Sequence, residues 1–112
     1  MVWYGSGEVR SKMTRGSIYL TSLERQVESI LKELGIEYIA QYPVHSGFIL
    51  DFATLNGDKK IDLEVDGEKW HSSKEAIRRD NFRTYMLRRE GWEIVRVKEE
   101  EINKDFLKRR IF

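Results

Sequence analysis

The chain contains no cysteine. That excludes disulfides, thiolate-held zinc, iron–sulfur clusters and a thiol nucleophile. It has one proline among 112 residues, so little interrupts regular structure. No apolar run approaches the roughly 18 residues that a membrane-spanning helix needs, and no signal-peptide pattern opens the chain. A soluble, cytoplasmic protein without a membrane partner is expected. Net charge is almost absent too: 20 Lys and Arg against 19 Asp and Glu leave +1, so bulk charge names no partner. What is present is a core's worth of apolar residues, 40% of the chain, with three Trp, five Tyr and five Phe. A length of 112 residues suits one domain, or a catalytic piece of a larger protein. The 35% of charged residues do not imply disorder, because the apolar residues fall in periodic runs.

Residues 1–20 show no period and are rich in Gly, Ser and Thr; they read as an N-terminal arm or linker, with the folded domain over 21–112. Thr21 or Ser22 can cap a first helix, and Glu24 stands at the capping-box spacing from Thr21. Leu23, Val27, Ile30, Leu31 and Leu34 recur at helical spacing, and Gly35 is a stop signal. A strand over 36–44 ends near Pro43, and His45-Ser46-Gly47 makes a turn. Two β-rich runs, FILDFATL and KIDLEVDG, then flank Asn56-Gly57, a hairpin signal. Alternation places Phe48, Leu50, Phe52, Ile61, Leu63 and Val65 on one apolar face, and Asp51, Asp62, Glu64 and Asp66 on the other. A turn over Asn56 to Lys59 sets Asp51 opposite Glu64, whereas a two-residue turn at Asn56-Gly57 sets it opposite Asp62. Either way several carboxylates share one patch, an arrangement that needs solvent or a cation.

A helix from about Ser72 to Glu90 follows, rich in arginine and with an apolar stripe of Phe82, Tyr85 and Met86. Gly91 ends it, Trp92–Lys98 is a strand, and Glu99–Arg110 is a last helix, acidic first and basic last as the helix dipole favours. The order α-β-β-β-α-β-α predicts an α/β (α+β) fold: a mixed four-stranded sheet flanked by helices, its last strand reached by a right-handed crossover.

Oxygen ligands converging from neighbouring strands suit a hard divalent cation such as Mg²⁺. Asp51 and Glu64 are the first candidate pair, with Asp66 two residues further along the same face; the Val65 backbone carbonyl can also reach an ion. Acids on a sheet face are commonly just solvated, but Asp51 sits inside Phe48-Ile49-Leu50-Asp51-Phe52-Ala53, and Asp is depleted in strands. His71 follows the acidic strand and can work as a general acid or base near neutral pH; a surface loop histidine is the plainer alternative. Asp80 can form an ordinary helical ion pair or orient His71. Glu24 is a capping-box partner or an acid aimed at the site. Lys74, Arg78, Arg79 and Arg83 suit a phosphate-binding face.

The combination of Glu24, Asp51 in FILDFA, Glu64-Val65-Asp66-Gly67, Trp70-His71, Arg79-Asp80, Leu87, Gly91-Trp92 and Arg96 resembles the very-short-patch-repair (Vsr-like) branch of the PD-(D/E)XK nucleases. It is closer still to the phage and intron homing endonucleases with an EDxHD pattern, whose order Glu24, Asp51, His71 and Asp80 match. The resemblance spans residues 22 to about 103. It implies a PD-(D/E)XK/Vsr-like core and a metal-dependent DNA endonuclease that hydrolyses phosphodiester bonds. Mg²⁺, with Mn²⁺ as a substitute, would be held by Asp51 with help from the Val65 carbonyl. His71 would activate water or assist proton transfer, Asp80 would support His71, and Glu24 would complete the acidic cluster. Two features depart from the pattern. Asp66 stands where the superfamily has lysine and the Vsr repair enzyme has histidine. No Cys/His set exists for that enzyme's structural zinc, so no zinc is expected.

The expected partner is double-stranded DNA. A dimer on DNA or an additional DNA-binding domain outside this chain would supply target specificity. The rival readings are a DNA repair nicking enzyme, a non-catalytic nucleic-acid-binding module that keeps the nuclease fold, and a protein-interaction domain with a merely solvated acidic face.

Overall fold

The structure, a computed structural model, describes residues 20–66 and 73–112. Residues 1–19 of the expected arm and the segment 67–72, with Trp70 and His71, lie outside the described residues. The first helix, α1 (Ser22–Leu34), starts as its sequence dictates. Thr21 Oγ1 accepts the Glu24 N–H at 3.2 Å, and Glu24 Oε1 accepts the Thr21 N–H at 2.9 Å, so two orphan donors are satisfied reciprocally. Gly35 closes it in the left-handed region at φ 71°, where a side chain would be strained.

Four strands form one sheet in the order β1-β2-β3-β4: β1 (Tyr38–Pro43), β2 (Ile49–Asn56), β3 (Lys59–Asp66) and β4 (Trp92–Lys98). The first two pairings are antiparallel and β3–β4 is parallel. The crossover helix α2 (Lys74–Arg89), capped by Ser73, makes the parallel return possible. The hairpin closes with Asn56 opposite Lys59, so of the two registers the sequence allowed, this one carries Asp51 toward Glu64.

The core lies on both sheet faces. On one, Phe52, Ile61, Leu63, Val95 and Val97 meet Val27 and Leu31 of α1 and Leu107 and Ile111 of α3 (Lys104–Ile111). On the other, Leu50, Ala53 and Trp92 meet Leu87 of α2. The expected α-β-β-β-α-β-α order and the flanked mixed sheet are thus observed.

Some details differ from the sequence reading. The apolar face of β2 is not continuous: Phe52 packs toward α1, whereas Leu50 and Phe48 pack toward α2. The pairing of β1 with β2 lapses between Ala40↔Phe52 and Tyr42↔Leu50, where Gln41 takes φ 53°. This left-handed step rolls the strand ends over, so alternation fails across it. On α2 the expected stripe is not the buried face: Phe82 and Tyr85 are 58% and 56% exposed, Met86 is half-buried, and Leu87 is the fully buried residue. The last helix is interrupted, because Glu99–Glu101 form a short 3-10 turn and Asn103 then caps α3 through the Phe106 N–H. Finally Leu20, assigned to the arm, is buried in the core. No helix among the described residues is long and apolar enough to cross a membrane.

Candidate active site

The acidic residues gather where β2 rolls. Asp51 Oδ2 accepts the Val65 N–H at 2.8 Å, and the Asp51 N–H points to Glu64 Oε2 at 3.4 Å. Side-chain bonds therefore replace the strand ladder at this step, and each carboxylate is tied to the neighbouring strand. Glu24 reaches the same place from α1: it is nearly buried, closes the capping box, and lies close enough to raise the Asp51 pKa. Both roles the sequence allowed for Glu24 are thus compatible.

The cluster is short of positive charge. Burial, then Glu64 and Glu24, push the Asp51 carboxyl up to about 8, against the opposing Val65 hydrogen bond. Burial and Asp62 push Glu64 up to about 8, against Arg83. Asp62 is raised by its own burial; it is fully buried and neither carboxylate oxygen meets a hydrogen-bond donor. Burial also raises Asp66, while Arg96 opposes it and Asp80 adds to it.

Arg83 is the resident counter-charge. Its Nη2 lies 2.7 Å from Glu64 Oε2 and its Nη1 3.6 Å from Asp62 Oδ2. Burial works against its charge, and Glu64, Asp62 and Asp51 outweigh that. Of the four basic residues assigned to DNA, Arg83 is therefore engaged inside the cluster, whereas Lys74, Arg78 and Arg79 are exposed on α2. Asp80 accepts from Arg96 Nη2 at 2.7 Å, and the same nitrogen lies 3.4 Å from Thr84 Oγ1. That pair ties α2 to β4; His71, the partner expected for Asp80, lies outside the described residues. Sequence reasoning gave no role to Asp62 or to the anchoring function of Arg96. For Asp62 the signal was its place between Ile61 and Leu63, in a strand destined to be central.

Among the described residues no three Asp, Glu or His side chains are gathered as a ready-made cation cage. Magnesium does not need one, since it is commonly held by one or two carboxylates, with water and phosphate oxygens filling its octahedron. Asp51 and Glu64 are hard oxygen donors in a desolvated patch, and the donorless Asp62 carboxylate marks an excess of negative charge there. The residues present fit a small divalent cation.

Residues 23–109 match the restriction-endonuclease-like family REase_MTES_1575. Among solved structures, the chain is similar to the catalytic domain of the homing endonuclease I-Bth0305I. The two share 29% identity with a TM-score of 0.62, over 82% of this chain and 91% of that one. No curated protein matches the chain.

Proposed function

The chain belongs to the restriction-endonuclease-like family REase_MTES_1575, and from that premise we propose that its acidic cluster is the divalent-cation centre of a DNA endonuclease domain. The fold is that of a PD-(D/E)XK-like nuclease, and the similarity to a homing endonuclease catalytic domain supports the same use here. The observation that carries the cation reading is the Asp51–Glu64 pair, locked across two strands by the Val65 N–H and surrounded by more acid than Arg83 can neutralise.

Asp51 and Glu64 would hold Mg²⁺ or Mn²⁺, with the Val65 carbonyl and Asp66 close by. Bound there, the ion supplies Lewis acidity to a phosphoryl oxygen and lowers the pKa of a coordinated water. The chain's own groups do the rest. His71 would activate the attacking water or assist proton transfer, Asp80 would support it, and Glu24 would complete the acidic cluster. Lys74, Arg78 and Arg79 on the outer side of α2 receive DNA phosphates. One such centre cuts one strand, so a double-strand break calls for two copies on DNA, and a further DNA-binding region would set the target.

A binding module that keeps the fold without cutting is the second reading, favoured by Asp66 in place of the superfamily's lysine. Supercoiled plasmid incubated with Mg²⁺ or Mn²⁺, with EDTA, and with the Asp51→Ala protein separates the two. Nicking or linearisation that needs the metal and vanishes in the variant is the expected result. A folded protein that shifts DNA in a gel without cutting it in either metal, or an active Asp51→Ala protein, refutes the catalytic reading.

A further inference from the structure

Asp62 is a costly residue for the fold. It sits mid-strand between Ile61 and Leu63, opposite Ala53 on β2 and Ile94 on β4, fully buried. Neither of its oxygens is hydrogen-bonded, and its ion-pair partner, Arg83 Nη1, is 3.6 Å away. A buried pair with so few supporting bonds contributes little to stability, and neutral side chains of similar size commonly serve a core as well or better. What the carboxylate does is hold Arg83. The same guanidinium bonds Glu64 Oε2 at 2.7 Å and lies over the Phe48 ring at 5.8 Å, a ring itself set edge-on against Phe82. Glu64 Oε2 thus takes both the Arg83 contact and the Asp51 N–H, while Oε1 meets no hydrogen-bond donor among the described residues.

We propose that Asp62 and Arg83 are positioning residues: Asp62 anchors the guanidinium, the guanidinium fixes one oxygen of Glu64, and the other oxygen is left for the cation. The inference rests on the cation-centre reading above. Residues that hold a ligating group in place typically change metal affinity about ten- to a hundredfold when removed.

The test is Mn²⁺ binding to the full chain without DNA, by titration calorimetry, beside a thermal melt, for the wild type, Asp62→Asn, Arg83→Met and the double variant. The double variant removes both members of the Asp62–Arg83 pair, so neither is left buried without the other. Positioning predicts that every folded variant binds Mn²⁺ about ten- to a hundredfold more weakly, with Asp62→Asn melting at or above the wild type. Arg83→Met is the sharpest arm: removing a positive charge beside carboxylates should tighten binding unless the guanidinium is organising Glu64. Tighter binding in Arg83→Met, or affinity in Asp62→Asn and the double variant within about twofold of the wild type, overturns the proposal. A folded wild type that binds no Mn²⁺ overturns the cation centre itself.

Discussion

Without a cation, the Asp51–Glu64 pair makes the protein less stable as pH rises. Both carboxyls are pushed up to about 8 in the native state, Asp51 by burial and Glu64, and Glu64 by burial and Asp62. Their ordinary values are 3.8 and 4.5. Between those limits the native state keeps protons that the unfolded chain has released. Stability is therefore full below the unfolded pKa values and is lost as pH climbs toward the folded ones. The slope is about 1.4 kcal/mol per pH unit for each proton retained, so one proton held from about pH 5 to 7 costs about 3 kcal/mol. That is a large share of the 5–15 kcal/mol or so that holds a typical domain together. Urea melts in EDTA across this range, on the wild type and on Asp51→Asn, isolate the effect. Asparagine keeps the shape and carries no charge, so the variant's slope should be shallower by about one proton's worth. Mg²⁺ or Mn²⁺ should restore the wild type most at the upper end, where the carboxylates are free of protons to accept it. Wild-type stability that is flat or rises between about pH 5 and 7 in EDTA, or equal slopes for the two proteins, refutes the reasoning.

Two further outcomes follow from the two sides of α2. Leu87→Ala, at the fully buried position, should cost about 2–5 kcal/mol, while Tyr85→Ala, with its ring more than half exposed, should cost under about 1 kcal/mol by the same melts. On the outer side, replacing Lys74, Arg78 and Arg79 together by alanine should weaken DNA binding uniformly across sequences. It should also reduce the slope of log affinity against log salt by about one for each phosphate that is no longer neutralised, read from gel shifts at several salt concentrations; an unchanged slope would remove these residues from the interface.

Most of the fold was legible because its signals are local. The capping box at Thr21 and Glu24, the stop at Gly35 and the hairpin around Gly57 each depend on residues within four positions, and each is observed. The roll of β2 was not legible: it follows from a left-handed backbone at Gln41, a residue type with no preference for it. Helix amphipathicity misplaced α2 for a related reason. Phe82 and Tyr85 outrank Leu87 in bulk, but the sheet under α2 is not purely apolar; it presents Asp62, Glu64 and Arg96. The helix therefore turns Asp80, Arg83, Thr84 and Leu87 inward and leaves the rings outside.

The site shows how far a sequence can go toward chemistry and where packing takes over. The sequence left Asp51 opposite Glu64 or Asp62, and the observed turn, with Asn56 opposite Lys59, selects Glu64. Assigning Arg83 needed to know which face of α2 meets the sheet, and a charge run gives no such information. The parallel return of β4 decides it: it places Arg96 beside Glu64, within reach of Asp80, and buries Asp62 between two neighbouring strands. Once Asp62 is buried, Arg83 cannot point to solvent without leaving a desolvated charge behind, a loss several times that of an exposed ion pair. The arginine is thus committed to the acidic cluster by the same strand order that creates it. Under the proposed function, phosphate contact would fall to the exposed Lys74, Arg78 and Arg79 of α2.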